Sequence, residues 1–207
     1  MDGISNPLVS IIIPAYNVTN YIGDALNSVL AQTFTDYEVI VINDGSPDSE
    51  ALERTLVPYM SRIVYLRQEN QGVSAARNRG ILSARGTFLA FLDGDDTWLP
   101  HYLDVQVSRI QADPTIDVLY PNVVMFGESS EAGEEFMTIC PSRGEVTFES
   151  LVLQECNVSN CSIARRDTII RAGLFDEALR CVEDFDLWLR VIKLGGRITY
   201  HGDVLAR

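Results

Sequence analysis

Lysine is nearly missing from this 207-residue chain. Of its sixteen basic residues fifteen are arginine, and Lys193 is the sole lysine. It lies in Ile-Lys-Leu-Gly-Gly rather than in a phosphate loop, which argues against P-loop chemistry and leaves a Schiff-base enzyme without a candidate. Histidine is scarce too, at His101 and His201, and Cys140, Cys156, Cys161 and Cys181 form no C-x-x-C pair. A zinc site is therefore poorly supported, and scattered thiols fit a reducing, cytoplasmic setting. No apolar run approaches 18 residues and no basic-then-apolar leader opens the chain, so neither a membrane span nor a signal peptide is expected. The Asn-x-Ser/Thr sequences at Asn17, Asn157 and Asn160 then read as chance. Basic charge is in deficit: 16 Lys and Arg against 29 Asp and Glu give −13, which speaks against nucleic acid as a partner.

What is present is an ordinary globular composition, 46% hydrophobic and 22% charged, enough for one full core. Apolar, β-branched runs at Val9–Ile13, Glu38–Ile42, Arg62–Leu66, Thr87–Leu92 and Asp117–Tyr120 have the length of buried strands. Helical stripes lie between them. Ile22, Ala25, Leu26, Val29 and Leu30 form one, Val73, Ala76, Gly80, Ile81 and Ala84 a second, and Leu103, Val107 and Ile110 a third. Such alternation predicts an α/β fold, a mostly parallel sheet with helices on both faces. After residue 121 the pattern changes. Phe126–Pro141 reads as a mobile loop or hairpin, followed by a helix at Phe148–Gln154, an extended piece near Ser159–Ala164, and a helix from Arg166 ended by Gly173. A stronger helix begins near Glu183, with Phe185, Trp188 and Ile192 on one side and Leu187 and Val191 nearby, and Gly195-Gly196 stops it.

In an open parallel sheet, ligands bind beyond the carboxyl ends of the strands. Those ends carry Pro14-Ala15-Tyr16-Asn17, Asn43-Asp44-Gly45-Ser46 and Asp93-Gly94-Asp95-Asp96, while the third strand leads into a helix bearing Arg77 and Arg79. Four loops thus bring an aromatic, acids and arginines to one rim. No G-x-G-x-x-G follows the first strand, so a dinucleotide fold fails its test. Tyr16 offers a face for a base or ribose, or is a buried loop aromatic; Asp44 sits in turn-forming company and is open to that reading as well.

Asp93, Asp95 and Asp96 raise the question of what cancels three neighbouring carboxylates. They are either a solvated turn or an oxygen cage for Mg²⁺ or Mn²⁺, which is commonly held by one or two carboxylates together with phosphate and water. The cage resolves a difficulty of sign, since an acidic rim without lysine needs a cation to hold a diphosphate; Arg77 or Arg79 would take residual phosphate charge. Glu183 and Asp184 open the last helix, where acids favour the dipole whatever their role, and where a general base would also be suited.

Five motifs in order carry a resemblance: Val-Ser-Ile-Ile-Ile-Pro-Ala-Tyr-Asn, Val-Ile-Asn-Asp-Gly-Ser-Pro-Asp, Gln-Gly-Val-Ser-Ala-Ala-Arg-Asn-Arg-Gly, Phe-Leu-Asp-Gly-Asp-Asp and Glu-Asp-Phe-Asp-Leu-Trp-Leu-Arg. Over roughly residues 8–207 the chain resembles family 2 glycosyltransferases of the GT-A fold. The resemblance implies a single domain with a Rossmann-like nucleotide-sugar half (about 8–121) and a smaller acceptor half (about 122–207). It implies inverting transfer of a sugar from a nucleotide-diphosphate donor, commonly a UDP-sugar, to an acceptor hydroxyl in surface polysaccharide or glycolipid synthesis. By position Pro14, Ala15, Tyr16, Asp44, Arg77, Asp93 and Gly94 would hold the donor and Asp95 with Asp93 the Mn²⁺ or Mg²⁺, in an Asp-x-Asp arrangement. Asp184 would be the catalytic base with Glu183 beside it.

Two departures matter. No Gln-x-x-Arg-Trp follows the Glu-Asp pair, against processive synthesis, and the Tyr-Arg-x-His segment usual after this pattern is absent, so an acceptor side truncated at the C-terminus is expected. A catalytically incomplete donor-binding module of a larger assembly is the competing reading. Either is compatible with a homodimer and with peripheral attachment at the inner face of a membrane. Arg165-Arg166 and Phe126–Pro141 are acceptor-contact candidates against a solvated default, and a metal role for His201 is a weak one.

Overall fold

The computed structural model describes residues 6–127 and 130–207. Its centre is one seven-stranded sheet in the order β3-β2-β1-β4-β6-β5-β7. Strands β1 (Val9–Ala15), β2 (Tyr37–Asp44), β3 (Val64–Gln68) and β4 (Phe88–Phe91) are parallel neighbours, with Ile12 level with Ile40 on one side and Phe91 on the other. Strand β5 (Val118–Val123) lies parallel to β7 (Ile198–Ala206). Between β4 and β5 runs β6 (Ile163–Arg165), antiparallel to both. The expected mostly parallel sheet is thus present, with one reversed strand.

The period of two along β1 divides two cores. Ile11 and Ile13 face the layer of α1 (Ile22–Leu30), α2 (Ser49–Leu56) and α4 (Tyr102–Ala112), packing with Leu26, Leu52 and Leu103. Ile12 faces the layer of α3 (Val73–Ser83), α6 (Phe148–Val152), α7 (Arg166–Arg171) and α8 (Glu183–Lys193), packing with Ala76, Ile81, Leu187 and Trp188. Both faces of β1 are dry, which is why its sequence reads as a continuous apolar run. Helix α3 needs Gly80 to come this close: a Cβ there would stand 2.7 Å from Ile12 Cγ2 and 2.9 Å from Ile42 Cδ1.

Several expectations need correction. Helix α2 carries only Leu52 and Leu56 as large buried apolar positions among charged neighbours, too short a stripe to register as a period. The chain end forms β7, the longest strand, where no strand was expected. Phe126–Pro141 is hairpin-like, with Val124 bridged to Glu135 and a single helical turn, α5 (Phe136–Ile139); Glu128 and Ser129 within it lie outside the described residues. In α8 the buried face is Leu187, Trp188 and Val191, while Phe185 is turned outward. Arg165 and Arg166, the acceptor-contact candidates, are engaged within the fold. Arg165 caps the carbonyls of Ile110 and Ile116 and lies over Phe88, and Arg166 reaches the carbonyl of Ile81. No helix among the described residues is long and apolar enough to cross a membrane.

Candidate functional site

Because β2 and β4 flank β1 on opposite sides and the helices that lead into them, α1 and α3, cover opposite faces, a crevice opens beyond the carboxyl ends of β1 and β4. The loops there enclose a cavity of about 500 Å³. Pro14, Ala15 and Tyr16 line it from β1, Asp44 from β2, Arg77 from α3, Asp93, Gly94 and Asp95 from the turn after β4, and Glu183 from the start of α8. Of the residues that the resemblance assigns to the site, all but one therefore meet in one place. Asp184 is the exception: it lines a second cavity of about 340 Å³ with Asp96 and the apolar side chains of Val123, Met125, Phe126, Phe136 and Val158. Asn160 lines both cavities, so the two meet at that residue.

Local chemistry explains each placement. Tyr16 is 49% exposed, which sets aside its reading as a buried aromatic, and its ring forms part of the cavity wall. Asp44 is only 3% exposed and its carboxylate accepts from Gln68 Nε2 at 2.8 Å and from the backbone N–H groups of Gln71 (3.0 Å) and Gly72 (2.9 Å). It pins the loop that precedes α3. Gly94 lets the acidic turn close on β1, since a Cβ would lie 2.9 Å from Val18 Cγ2 and 3.1 Å from the carbonyl oxygen of Pro14.

The three aspartates are handled in three ways. Asp93 is neutralised by Arg77, Nη2 to Oδ1 at 2.8 Å, and its other oxygen accepts from Asn160 Nδ2 at 3.4 Å. Asp96 is half-buried, and burial first, then the charges of Asp93 and Asp95, push its carboxyl up to about 7. Asp95 is exposed at the cavity rim, and its carboxylate has no protein partner among the described residues. The donor set is all oxygen, as a hard cation requires. No three His, Cys, Asp or Glu side chains among the described residues converge to hold a metal alone. The residues fit a cation that completes its shell with ligand phosphate and water.

Arg77 is 5% exposed and forks between two acids, Nη1 donating to Glu183 Oε1 at 2.8 Å and Nη2 to Asp93. Burial would lower its pKa, but Asp93 and then Glu183 outweigh it and hold the guanidinium more firmly charged. Arg79, the alternative phosphate contact, points elsewhere: it donates to the carbonyl of Arg67 at 2.7 Å and is absent from the cavity wall. At Asp184, burial raises the carboxyl above the usual range and Glu183 adds to this, against the Phe185 N–H and Arg77. His201 is a core residue, paired with Gln106 at 3.0 Å.

Comparison with known proteins decides the family. The model for glycosyl transferase family 2 matches residues 10–168, more than half of the chain. The chain belongs to that family. Among curated relatives, the Escherichia coli protein WfgD, named as a UDP-Glc:α-D-GlcNAc-diphosphoundecaprenol β-1,3-glucosyltransferase, is 32% identical over 90% of this chain and 70% of its own length. A Rickettsia prowazekii (strain Madrid E) protein named as an uncharacterized glycosyltransferase is 31% identical over 99% of this chain and 64% of its own length. The chain spans only 32% of a similar protein from Rickettsia conorii. The crystal structure of Staphylococcus aureus TarS residues 1–349 superposes with a TM-score of 0.77 at 25% identity, over 96% of this chain and 59% of that one. The mannosyltransferase PcManGT from Pyrobaculum calidifontis, solved with GDP-Man and Mn²⁺, shares the fold at TM-score 0.75 and 20% identity, over 98% of this chain and 57% of that one.

Within this family member, sequence reasoning missed Asn160 and the whole apolar cavity. Asn160 was met only as part of a glycosylation sequon, and Val123, Phe136 and Val158 come from segments with no common period. Their convergence is made by β5, the hairpin and the loop before β6, none of which announces the others.

Proposed function

We propose that the chain is a metal-dependent glycosyltransferase that moves a sugar from a nucleoside diphosphate, UDP first among them, to an acceptor hydroxyl with inversion. The observation that carries this is the pair of cavities meeting at Asn160, with one acid-rimmed pocket for a donor and one apolar pocket holding a carboxylate of raised affinity for protons. That TarS has been solved with UDP and with UDP-GlcNAc supports the donor class.

In this reading Tyr16 gives its face to the base or ribose, and Pro14, Ala15 and Gly94 shape the floor. Asp44 reaches the base indirectly, by holding the Gln68–Gly72 loop. Asp95, with Asp93 beside it, would hold one Mn²⁺ or Mg²⁺, whose charge would stabilise a departing diphosphate. Asp184 takes the proton of the acceptor hydroxyl from the second cavity, on the side away from the donor. Valine, methionine and phenylalanine side chains there accept the apolar face of a carbohydrate and keep water from the carboxylate. The nucleotide half is about residues 8–121 and the acceptor half about 122–207, in one domain, acting on a glycan or glycolipid.

A calorimetric screen of UDP-, GDP- and TDP-sugars with and without Mn²⁺, joined to a donor-turnover assay, tests the proposal. Cation-dependent UDP-sugar binding with turnover lost in Asp184→Asn is expected. Binding without any turnover favours a donor-binding module instead, and no binding of any donor refutes both.

A further inference from the structure

We propose that Arg77 is a positioning residue, an internal brace that fixes the start of α8 against the acidic turn after β4, and that Glu183 serves as its anchor rather than as a second base. The inference rests on the donor reading above but assigns both residues a different job from the one the family resemblance implies.

Four observations carry it. The guanidinium is buried and already donates at 2.8 Å to each of two carboxylates, so its planar fork is filled in the direction of the site. Its partners lie 16 and 106 residues away in sequence, on the two segments whose relative position sets where Asp95 and Asp184 stand. Phe175, in the loop leading to α8, backs it with a ring centroid 5.4 Å from Cζ. Finally, residues 180–184 have no other polar tie to the rest of the chain among the described residues. Asp184 accepts only from the backbone N–H groups of Phe185 and of its own residue, the helix has no side-chain cap, and Val182 at its head has φ 55°, a conformation costly for a β-branched residue. A strained, uncapped helix start that carries the reacting carboxylate is held in place by one ion pair.

The consequence is a division of labour between adjacent acids. Glu183 turns to Arg77 and the donor cavity, and this turns Asp184 into the other cavity. Loss of the brace then moves the carboxylate without removing any donor contact, and a displacement of about 1 Å is enough to cost on the order of 100-fold in rate.

The test uses the full chain as Glu183→Gln, Arg77→Met and Arg77→Lys. Calorimetry with UDP alone, donor KM and kcat with Mn²⁺, and hydrogen exchange of the 180–186 amides are measured for each. The expected result is a UDP Kd and donor KM within about 2-fold of wild type, with kcat down about 100-fold in Arg77→Met and at least about 10-fold in Glu183→Gln. Arg77→Lys recovers part of the loss, because an ammonium can hold one acid but cannot fork to both. Exchange at 180–186 rises in all three. A wild-type kcat in Glu183→Gln, or unchanged exchange there, overturns the brace even if the other variants unfold. A UDP Kd raised more than about 10-fold in Arg77→Met, with kcat intact in Glu183→Gln, makes Arg77 a phosphate ligand. Wild-type protein that binds no UDP refutes the donor reading itself, while the exchange measurement still judges the brace.

Discussion

Glu183 and Asp184 are consecutive in the chain and face different cavities, Glu183 bonded to Arg77 in the cavity that Tyr16 and Asp95 line and Asp184 lining the apolar cavity together with Asp96. That separation gives Asp184 a specific expected behaviour. Asp184→Asn removes the proton acceptor while keeping shape, so turnover falls by about 10²–10⁴-fold and UDP affinity stays within about 3-fold. Calorimetry and a product assay on the same preparation check it. Because burial raises its pKa, the unprotonated base is gained as pH rises, and kcat should climb through a higher pH range than an exposed aspartate would give.

Asp95 is the acid with no internal partner, so its removal should have the most limited effect. In Asp95→Ala the protein keeps its melting temperature and its metal-free affinity for UDP, and loses the gain in affinity that Mn²⁺ confers. Equal binding with and without Mn²⁺ in the wild type would count against the cation site altogether.

How much of this was legible in the sequence depends on the range of the interaction. Strands β1 to β5 and helices α1 and α4 write their periods locally, and the strand ends follow from them, so Tyr16, Asp44, Asp93 and Asp95 could be placed on one rim; α3 was found, but Val73 of its expected stripe is exposed while Ser74, Arg77 and Asn78 are buried. Arg77 was placed there also, but its engagement was not foreseeable, since Glu183 lies 106 residues away and nothing in the spacing couples them. Helix α2 has too few buried positions to show a stripe, and β7 mixes exposed and buried residues beside β5 with irregular register. The apolar cavity is a tertiary product of segments that carry no shared pattern.

Gly80 offers a test of the helix–sheet distance on which Arg77 depends. In Gly80→Ala the new methyl meets Ile12 and Ile42 below contact distance, and α3 must lift or the isoleucines must leave their rotamers. Overpacking of this kind costs about 1–3 kcal/mol, read as a lower urea midpoint with the slope unchanged. A variant at least as stable as wild type would show that the layer is looser than the distances indicate.

His201 supplies a pH prediction for stability that is independent of catalysis. Its ring is buried between Gln106 and the neighbourhood of Arg109 and Asp203; burial and then Arg109 lower its pKa to about 4, with Asp203 opposing. The unfolded chain titrates it near about 6.5. Between those values the unfolded state binds the extra proton, so stability is complete above about 6.5 and declines as pH falls toward 4. Because Arg109 and Asp203 stand in water and are screened, the loss expected is about 1–2 kcal/mol rather than the full value of the shift. Urea unfolding of wild type and His201→Gln at pH 7.5 and pH 4.5 isolates the contribution. The wild type should lose more stability between the two pH values than the variant does, and equal losses would mean that the imidazole takes up its proton in the folded protein as readily as in the unfolded one.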